Sequence, residues 1–83
     1  MIANRPTAID VKPLNDYQLL VTFDNNERKL FDVTPYIKGT WFGQLRDKVV
    51  FEKVHIGGLS VEWPDGQDIC PDRLYYDSIS ITQ

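Results

Sequence analysis

Cysteine and histidine are almost absent from this chain, which holds only Cys70 and His55 of these two types. One cysteine cannot form an intrachain disulfide, so the fold is not covalently stapled and a reducing, cytoplasmic compartment is expected. A structural zinc site needs about four Cys or His ligands, more than the chain supplies. The sequence therefore excludes a disulfide scaffold and a structural zinc site within one chain.

Long apolar runs and an excess of basic charge are missing as well. No stretch approaches the roughly 18 apolar residues that cross a bilayer, and the N-terminus lacks the basic and apolar regions of a signal peptide. The 9 Lys+Arg and 12 Asp+Glu residues give a net charge of −3. Because nucleic-acid binding needs several basic side chains on one face, we expect neither nucleic acid nor a membrane as a direct partner. Basic partner surfaces or other proteins are the expected partners.

Catalytic motifs are also lacking. Gly57-Gly58 is typical of a hairpin turn and lacks the Lys and Ser/Thr of a phosphate-binding loop, and no serine lies in a nucleophile-elbow context. Cys70 precedes Pro71 at the start of a predicted helix, where a thiol can become reactive, but a small buried cysteine is the favoured interpretation. His55 is expected at the surface. We therefore predict no enzyme, no catalytic residue, no cofactor and no bound metal.

The length and composition are those of one small globular domain. The chain has 83 residues, of which 42% are hydrophobic and 25% are charged, and this leaves room for one core. We predict a single domain over residues 1–83, with loose arms at 1–7 and 79–83.

Strand-like alternation dominates two regions of the chain. Apolar and polar residues alternate over 8–33, with an Asn25-Asn26 turn, and this pattern predicts an early antiparallel meander. A later hairpin is predicted over 54–70. Short helices are predicted over about 42–53, and over 71–77 where Pro71 fits the first helical position. The predicted fold class is α+β, with a mainly antiparallel sheet.

Aromatic residues are numerous for so small a chain. Trp63 ends an alternating strand and is predicted to lie in the core. The adjacent pairs Trp41-Phe42 and Tyr75-Tyr76 differ, because neighbouring residues on a strand or helix cannot all point the same way. At least one member of each pair is therefore predicted at the surface, where an aromatic side chain can anchor a protein interface.

Three aspartates, Asp65, Asp68 and Asp72, follow Trp63 in a short block. Their spacing is not that of an EF-hand loop, and solvated or capping carboxylates are the favoured interpretation. A small-ligand or metal-binding domain that uses this region is the alternative function. The complete candidate interaction surface consists of Trp41, Asp65, Asp68, Asp72 and Tyr76.

The same block carries a resemblance to a known family. The run Trp63-Pro64-Asp65-Gly66-x-Asp68-Ile69-x-Pro71-Asp72-x-Leu74-Tyr75 resembles the signature of the small bacterial family called domain of unknown function twenty-four forty-two. Further segments match in order: Phe31-Asp32-Val33-x-Pro35-Tyr36, Leu45-x-Asp47, and Phe51-x-x-Val54. The resemblance covers roughly residues 8–78.

This resemblance implies a compact α+β fold without any catalytic residue to carry over. It also implies that members occur alone or fused to a C-terminal helix-turn-helix domain, and are often encoded beside another small uncharacterised domain, as toxin–antitoxin pairs are. The leading hypothesis is therefore a non-catalytic protein-interaction module, an antitoxin-like partner of a small neighbouring protein. A homodimer is a further possibility.

Overall fold

A four-stranded antiparallel sheet forms the centre of the molecule, whose computed structural model describes residues 5–81. Its first strands are β1 (Ala8–Leu14), β2 (Gln18–Phe23) and β3 (Arg28–Asp32), and its last is β6 (Ile79–Ser80). The strand order is β1-β2-β3-β6, with every pairing antiparallel. The meander predicted over 8–33 is confirmed.

Alternation along the strands gives this sheet one buried face. On β2, Leu19, Val21 and Phe23 are at most 1% exposed, whereas the residues between them are half-buried. Successive strand side chains point to opposite faces, so this pattern places the core on one side only. We call the buried side the inner face and the opposite side the outer face.

Both turns of the meander use positive backbone φ angles. Asp16 and Tyr17, which follow β1, have φ angles of 60° and 59°, and Asn26, which follows β2, has 73°. Asn25 Oδ1 also accepts the backbone N–H of Glu27 at 3.0 Å. Asn and Asp tolerate the left-handed region because their short polar side chains can bond locally. The predicted Asn25-Asn26 turn is confirmed.

The helix predicted over about 42–53 is interrupted in the structure. A 3₁₀ helix covers Phe42–Arg46, and α1 covers Lys48–Phe51. Asp47 lies between them with extended backbone angles, φ −71° and ψ 117°, and its Oδ1 accepts the N–H of Val49 at 2.9 Å. An aspartate that caps a helix leaves the helical conformation itself. Asp47 is therefore the N-cap of α1, and the segment 42–53 forms two short helices.

A small second sheet and a terminal helix complete the fold. Strands β4 (His55–Gly57) and β5 (Ser60–Glu62) form the hairpin predicted within 54–70, and a further bridge joins Glu62 to Asp68. The helix predicted over 71–77 is α2 (Pro71–Tyr76). The predicted α+β class is confirmed.

The segments predicted as loose arms, 1–7 and 79–83, contact the sheet where the structure describes them. Lys29 and Leu30 of β3 pair with β6, so the segment after α2 belongs to the sheet. At the other end, Thr7 exchanges hydrogen bonds with Asp24, which caps the sheet edge. Residues 1–4, 82 and 83 lie outside the described part.

Trp63 anchors the core between the two sheets. The side chain is 1% exposed, its Nε1 donates to the carbonyl oxygen of Phe51 at 2.9 Å, and the two rings lie 6.0 Å apart. The predicted core position of Trp63 is confirmed. Within residues 5–81, no helix is long and apolar enough to cross a membrane.

Candidate functional site

The first part of the aspartate block forms a tight reversal after Trp63. The N–H of Gly66 donates to Trp63 O at 2.9 Å, and the N–H of Trp63 donates to Gln67 O at 2.8 Å. Gly66 has a φ of +101°, a conformation that side chains disfavour. Pro64, Asp65 and Gly66 therefore expose a loop whose backbone is held at both ends.

Trp41 lies against this loop and is held by it. Its Nε1 donates to Asp65 O at 3.3 Å, and its carbonyl oxygen accepts a hydrogen bond from Gln67 Nε2 at 2.8 Å. A Cβ on Gly66 would lie 3.4 Å from Trp41 Cζ2, so the ring packs on the glycine. The side chain still remains 48% exposed. The structure thus brings Trp41 and Asp65 together, two candidates far apart in the sequence.

Gln67 is the residue that sequence reasoning missed at this site. It is fully buried, and its amide fixes Trp41, although its Oε1 has no hydrogen-bond partner among the described residues. In the sequence, the only indication of a role for Gln67 is that it lies inside the signature run, at a position where the signature specifies no residue type. A polar residue there gave no indication that its side chain turns inward.

The other candidates lie on α2 or at its approach. Asp68 is exposed and follows the loop, Asp72 is in the first turn of α2, and its carboxylate lies 3.2 Å from Arg5 Nη1. Tyr76 is 62% exposed and stacks edge-on against Tyr75 at 5.1 Å. The expectation that one member of each adjacent aromatic pair reaches the surface is confirmed.

The three aspartates are not assembled into a metal site. Over residues 5–81, no group of three His, Cys, Asp or Glu side chains is placed to hold a metal ion. Asp65 instead lies beside Trp41 and Asp72 beside Arg5. The metal-binding alternative therefore has no geometric support among the described residues.

Cys70 is exposed, and its predicted burial is wrong. It is the residue before α2, outside the helix, and there its side chain faces solvent. His55 makes its contacts elsewhere, to Lys53 O at 3.1 Å and to Glu62 Oε2 at 3.2 Å. The contacts of His55 therefore serve the β4–β5 hairpin.

The imidazole of His55 is expected to titrate with a pKa above its ordinary value of 6.5. The backbone carbonyl of Lys53 and then the carboxylate of Glu62 favour the protonated ring, in which both nitrogens donate. A raised pKa in the folded state adds stability that is present below the unfolded value and lost as pH rises through the folded one. NMR titration of the ring protons measures this pKa.

Glu62→Gln should lower the His55 pKa, whereas Asp77→Asn, which removes a carboxylate paired with Arg73 on α2, should leave it unchanged. A His55 pKa at or below 6.5, or one insensitive to Glu62→Gln, would contradict the contact. The glycine at position 57 is part of this geometry, because a Cβ there would overlap the Glu62 side chain.

A second cluster, absent from the sequence-based candidates, ties α2 to the meander. Tyr75 Oη donates to Glu27, and Lys29 Nζ donates to Tyr75 O at 2.7 Å while lying 3.8 Å from the Tyr75 ring centre. The bond to Glu27 raises the pKa of Tyr75, and the same bond lowers the pKa of Glu27. Lys29 is buried on the inner face, so this cluster holds the helix on the sheet.

Surface clefts lie away from the candidate residues. One cleft of about 290 Å³ is lined by the β1–β2 turn and by Lys48, Phe51 and Glu52 of the α1 region. Another, of about 410 Å³, lies between the end of β3 and α2. None of the five candidate residues lines either cleft. These two clefts are therefore separate from the candidate residues.

Fold and site together define a small α+β domain in which a half-exposed tryptophan is held by a neighbouring loop. The chain belongs to the family described as protein of unknown function (DUF2442), whose model matches residues 8–80. The resemblance given by the signature residues is thereby confirmed, and the family description assigns no activity. No curated protein and no solved structure gives a significant match to the chain.

Proposed function

We propose that this domain is a non-catalytic protein-interaction module of the cytoplasm, an acidic, antitoxin-like partner of a small basic protein encoded beside it. The observation that carries the proposal is the placement of Trp41. A half-exposed tryptophan is held by its ring N–H, by its carbonyl oxygen and by ring packing on Gly66.

Rigid, exposed aromatic side chains are effective interface anchors. Tryptophan is enriched among the residues that carry most of the binding energy of protein interfaces. A side chain that is already ordered loses little conformational entropy when a partner covers it. The loop contacts of Trp41 supply this order in the free domain.

The surrounding charge favours a basic partner. The backbone of Asp65 contacts Trp41, the exposed Asp68 lies just beyond the loop, and the whole chain carries a net charge of −3. Carboxylates at the edge of an interface accelerate encounter with a cationic surface and contribute less to the final affinity. In this proposal Trp41 contributes most of the binding affinity, whereas Asp65 and Asp68 raise the association rate and the selectivity for a basic partner.

Trp41→Ala is expected to weaken the complex with the neighbouring small protein by about 30-fold or more, which corresponds to about 2 kcal/mol or more. The substitution keeps the Trp41 carbonyl that accepts from Gln67, so the loop retains this tie. Titration calorimetry of the purified pair measures the affinity. Asp65→Asn with Asp68→Asn should mainly slow association and reduce its salt dependence.

Val49→Ala is the matched control, because Val49 is 64% exposed on α1 and lies outside the loop. It should leave the affinity unchanged. Failure of the pair to form a complex at micromolar concentrations would refute the proposal. Equal effects of Trp41→Ala and Val49→Ala would refute the role of Trp41.

A further inference from the structure

The outer face of the four-stranded sheet carries an apolar row of two half-buried leucines and one exposed isoleucine, all outside the core cluster. Leu20 of β2 pairs with Leu30 of β3, which pairs in turn with Ile79 of β6, so the three side chains lie side by side. Ile79 is 71% exposed, and none of the three packs against the core cluster. The ring of Tyr75 from α2 instead contacts Phe23 and Lys29 on the inner face.

Opposite charges flank this row on the central strand β3. Arg28 and Asp32 lie two residues to either side of Leu30, so all three side chains share the outer face. Same-face residues two apart on a strand are separated by about 7 Å. The row is therefore bordered by a cation on one side and an anion on the other.

We propose that this face binds the same face of a second copy of the chain, with a two-fold axis along the Leu20–Leu30–Ile79 row. Rotation about that axis lays each apolar residue on its own counterpart. It also reverses the strand direction, which places Arg28 of one copy opposite Asp32 of the other, twice in the dimer. A two-fold interface requires this kind of self-complementary patch.

The charged residues of the outer face favour a second copy of the chain as its partner, rather than the basic protein of the proposed function. Strands β1 and β3 place Asp10, Lys12, Arg28 and Asp32 on the outer face, two acids and two bases. A neutral, self-complementary surface offers no attraction to a cationic protein. The dimer is thus independent of the Trp41 surface and goes beyond the proposed function.

Two details of the pairing are compatible with the contacts within each chain. Arg28 has an interaction within its own chain, but a guanidinium has five N–H donors and can serve a second partner. Asp32 Oδ1 accepts the N–H of Thr34 at 2.9 Å, which leaves Oδ2 for Arg28 of the other copy. Lys12 meets its own counterpart at the edge strand, where its long side chain can turn toward Asp10 of the second copy.

Charge reversal tests the pairing directly. We expect the unmodified chain to dimerise in sedimentation experiments at concentrations between roughly 5 and 500 μM. Arg28→Asp and Asp32→Arg should each weaken the dimer at least ten-fold, about 1.4 kcal/mol. An equimolar mixture of the two variants should dimerise again, because both inter-copy pairs then join opposite charges.

Ile79→Lys provides a second test that spares the core and the Asp32–Thr34 contact. It should abolish the dimer, and Val49→Lys on α1 should leave it intact. Circular dichroism checks that each variant is folded. A chain that stays monomeric throughout the range overturns the proposal, as does a dimer indifferent to Ile79→Lys or a variant mixture that stays monomeric. The proposed function is tested separately, by measuring binding of the basic partner and its loss in Trp41→Ala.

Discussion

Replacing Trp63 by alanine is expected to lower the free energy of unfolding by about 3–5 kcal/mol. The indole is 1% exposed, and it packs on Phe51 while donating to the Phe51 carbonyl. Its removal leaves a cavity and a buried carbonyl without its partner, and each of these destabilises the fold. A domain of this length is stable by only about 4–12 kcal/mol.

Urea unfolding followed by circular dichroism measures this loss. Trp41→Ala is the matched control, because the same residue type is removed from a half-exposed position. It should cost less than about 1 kcal/mol, as is usual for surface substitutions. A small loss for Trp63→Ala, or equal losses for the two tryptophans, would contradict the assignment of Trp63 to the core.

Leu74→Ala should produce the next largest loss, about 2–5 kcal/mol. Leu74 is 1% exposed and is the buried residue of α2, a helix that spans only Pro71–Tyr76. A helix this short is not stable alone and depends on packing. We therefore expect α2 and the following β6 to lose hydrogen-exchange protection before the meander does.

Arg73→Ala supplies the comparison for Leu74→Ala. Its side chain is 65% exposed, and it forms an i,i+4 pair with Asp77 at 3.4 Å. Exposed pairs of this kind contribute only a few tenths of a kcal/mol. Uniform loss of exchange protection over the whole sheet in Leu74→Ala would show that α2 and β6 do not open separately.

Much of the sheet could be predicted because the alternation of apolar and polar residues along its strands indicates which side chains are buried. Leu19, Val21 and Phe23 repeat every second residue, and a shift by one position would expose all three. Asp47 limits such prediction in the middle of the chain. Its pattern suits both a cap and a helix interior, and the hydrogen bond to Val49 decides between them.

The candidate site could be predicted only in part, since its central contact is not local. Sequence reasoning establishes that Trp41 and Phe42 cannot both be buried on one face, but it does not say which is exposed. The contact of Trp41 with Asp65 joins positions 24 residues apart. Gln67 is fully buried and donates to the carbonyl oxygen of Trp41, a separate long-range contact, and no local pattern indicates its burial. Likewise, Cys70 is exposed because the path of the loop, rather than its residue type, sets its environment.

The pairing of β3 with β6 has a consequence for the order in which the chain assembles. The first three strands are joined by short turns and close small loops, whereas the Leu30–Ile79 pair must close nearly fifty residues. Closing a longer loop costs more chain entropy and slows the contact. We therefore expect the meander to form early during synthesis and β6 to join the sheet only after α2 has docked. Until β6 has joined, the edge of β3 that later pairs with β6 can form backbone hydrogen bonds with another strand.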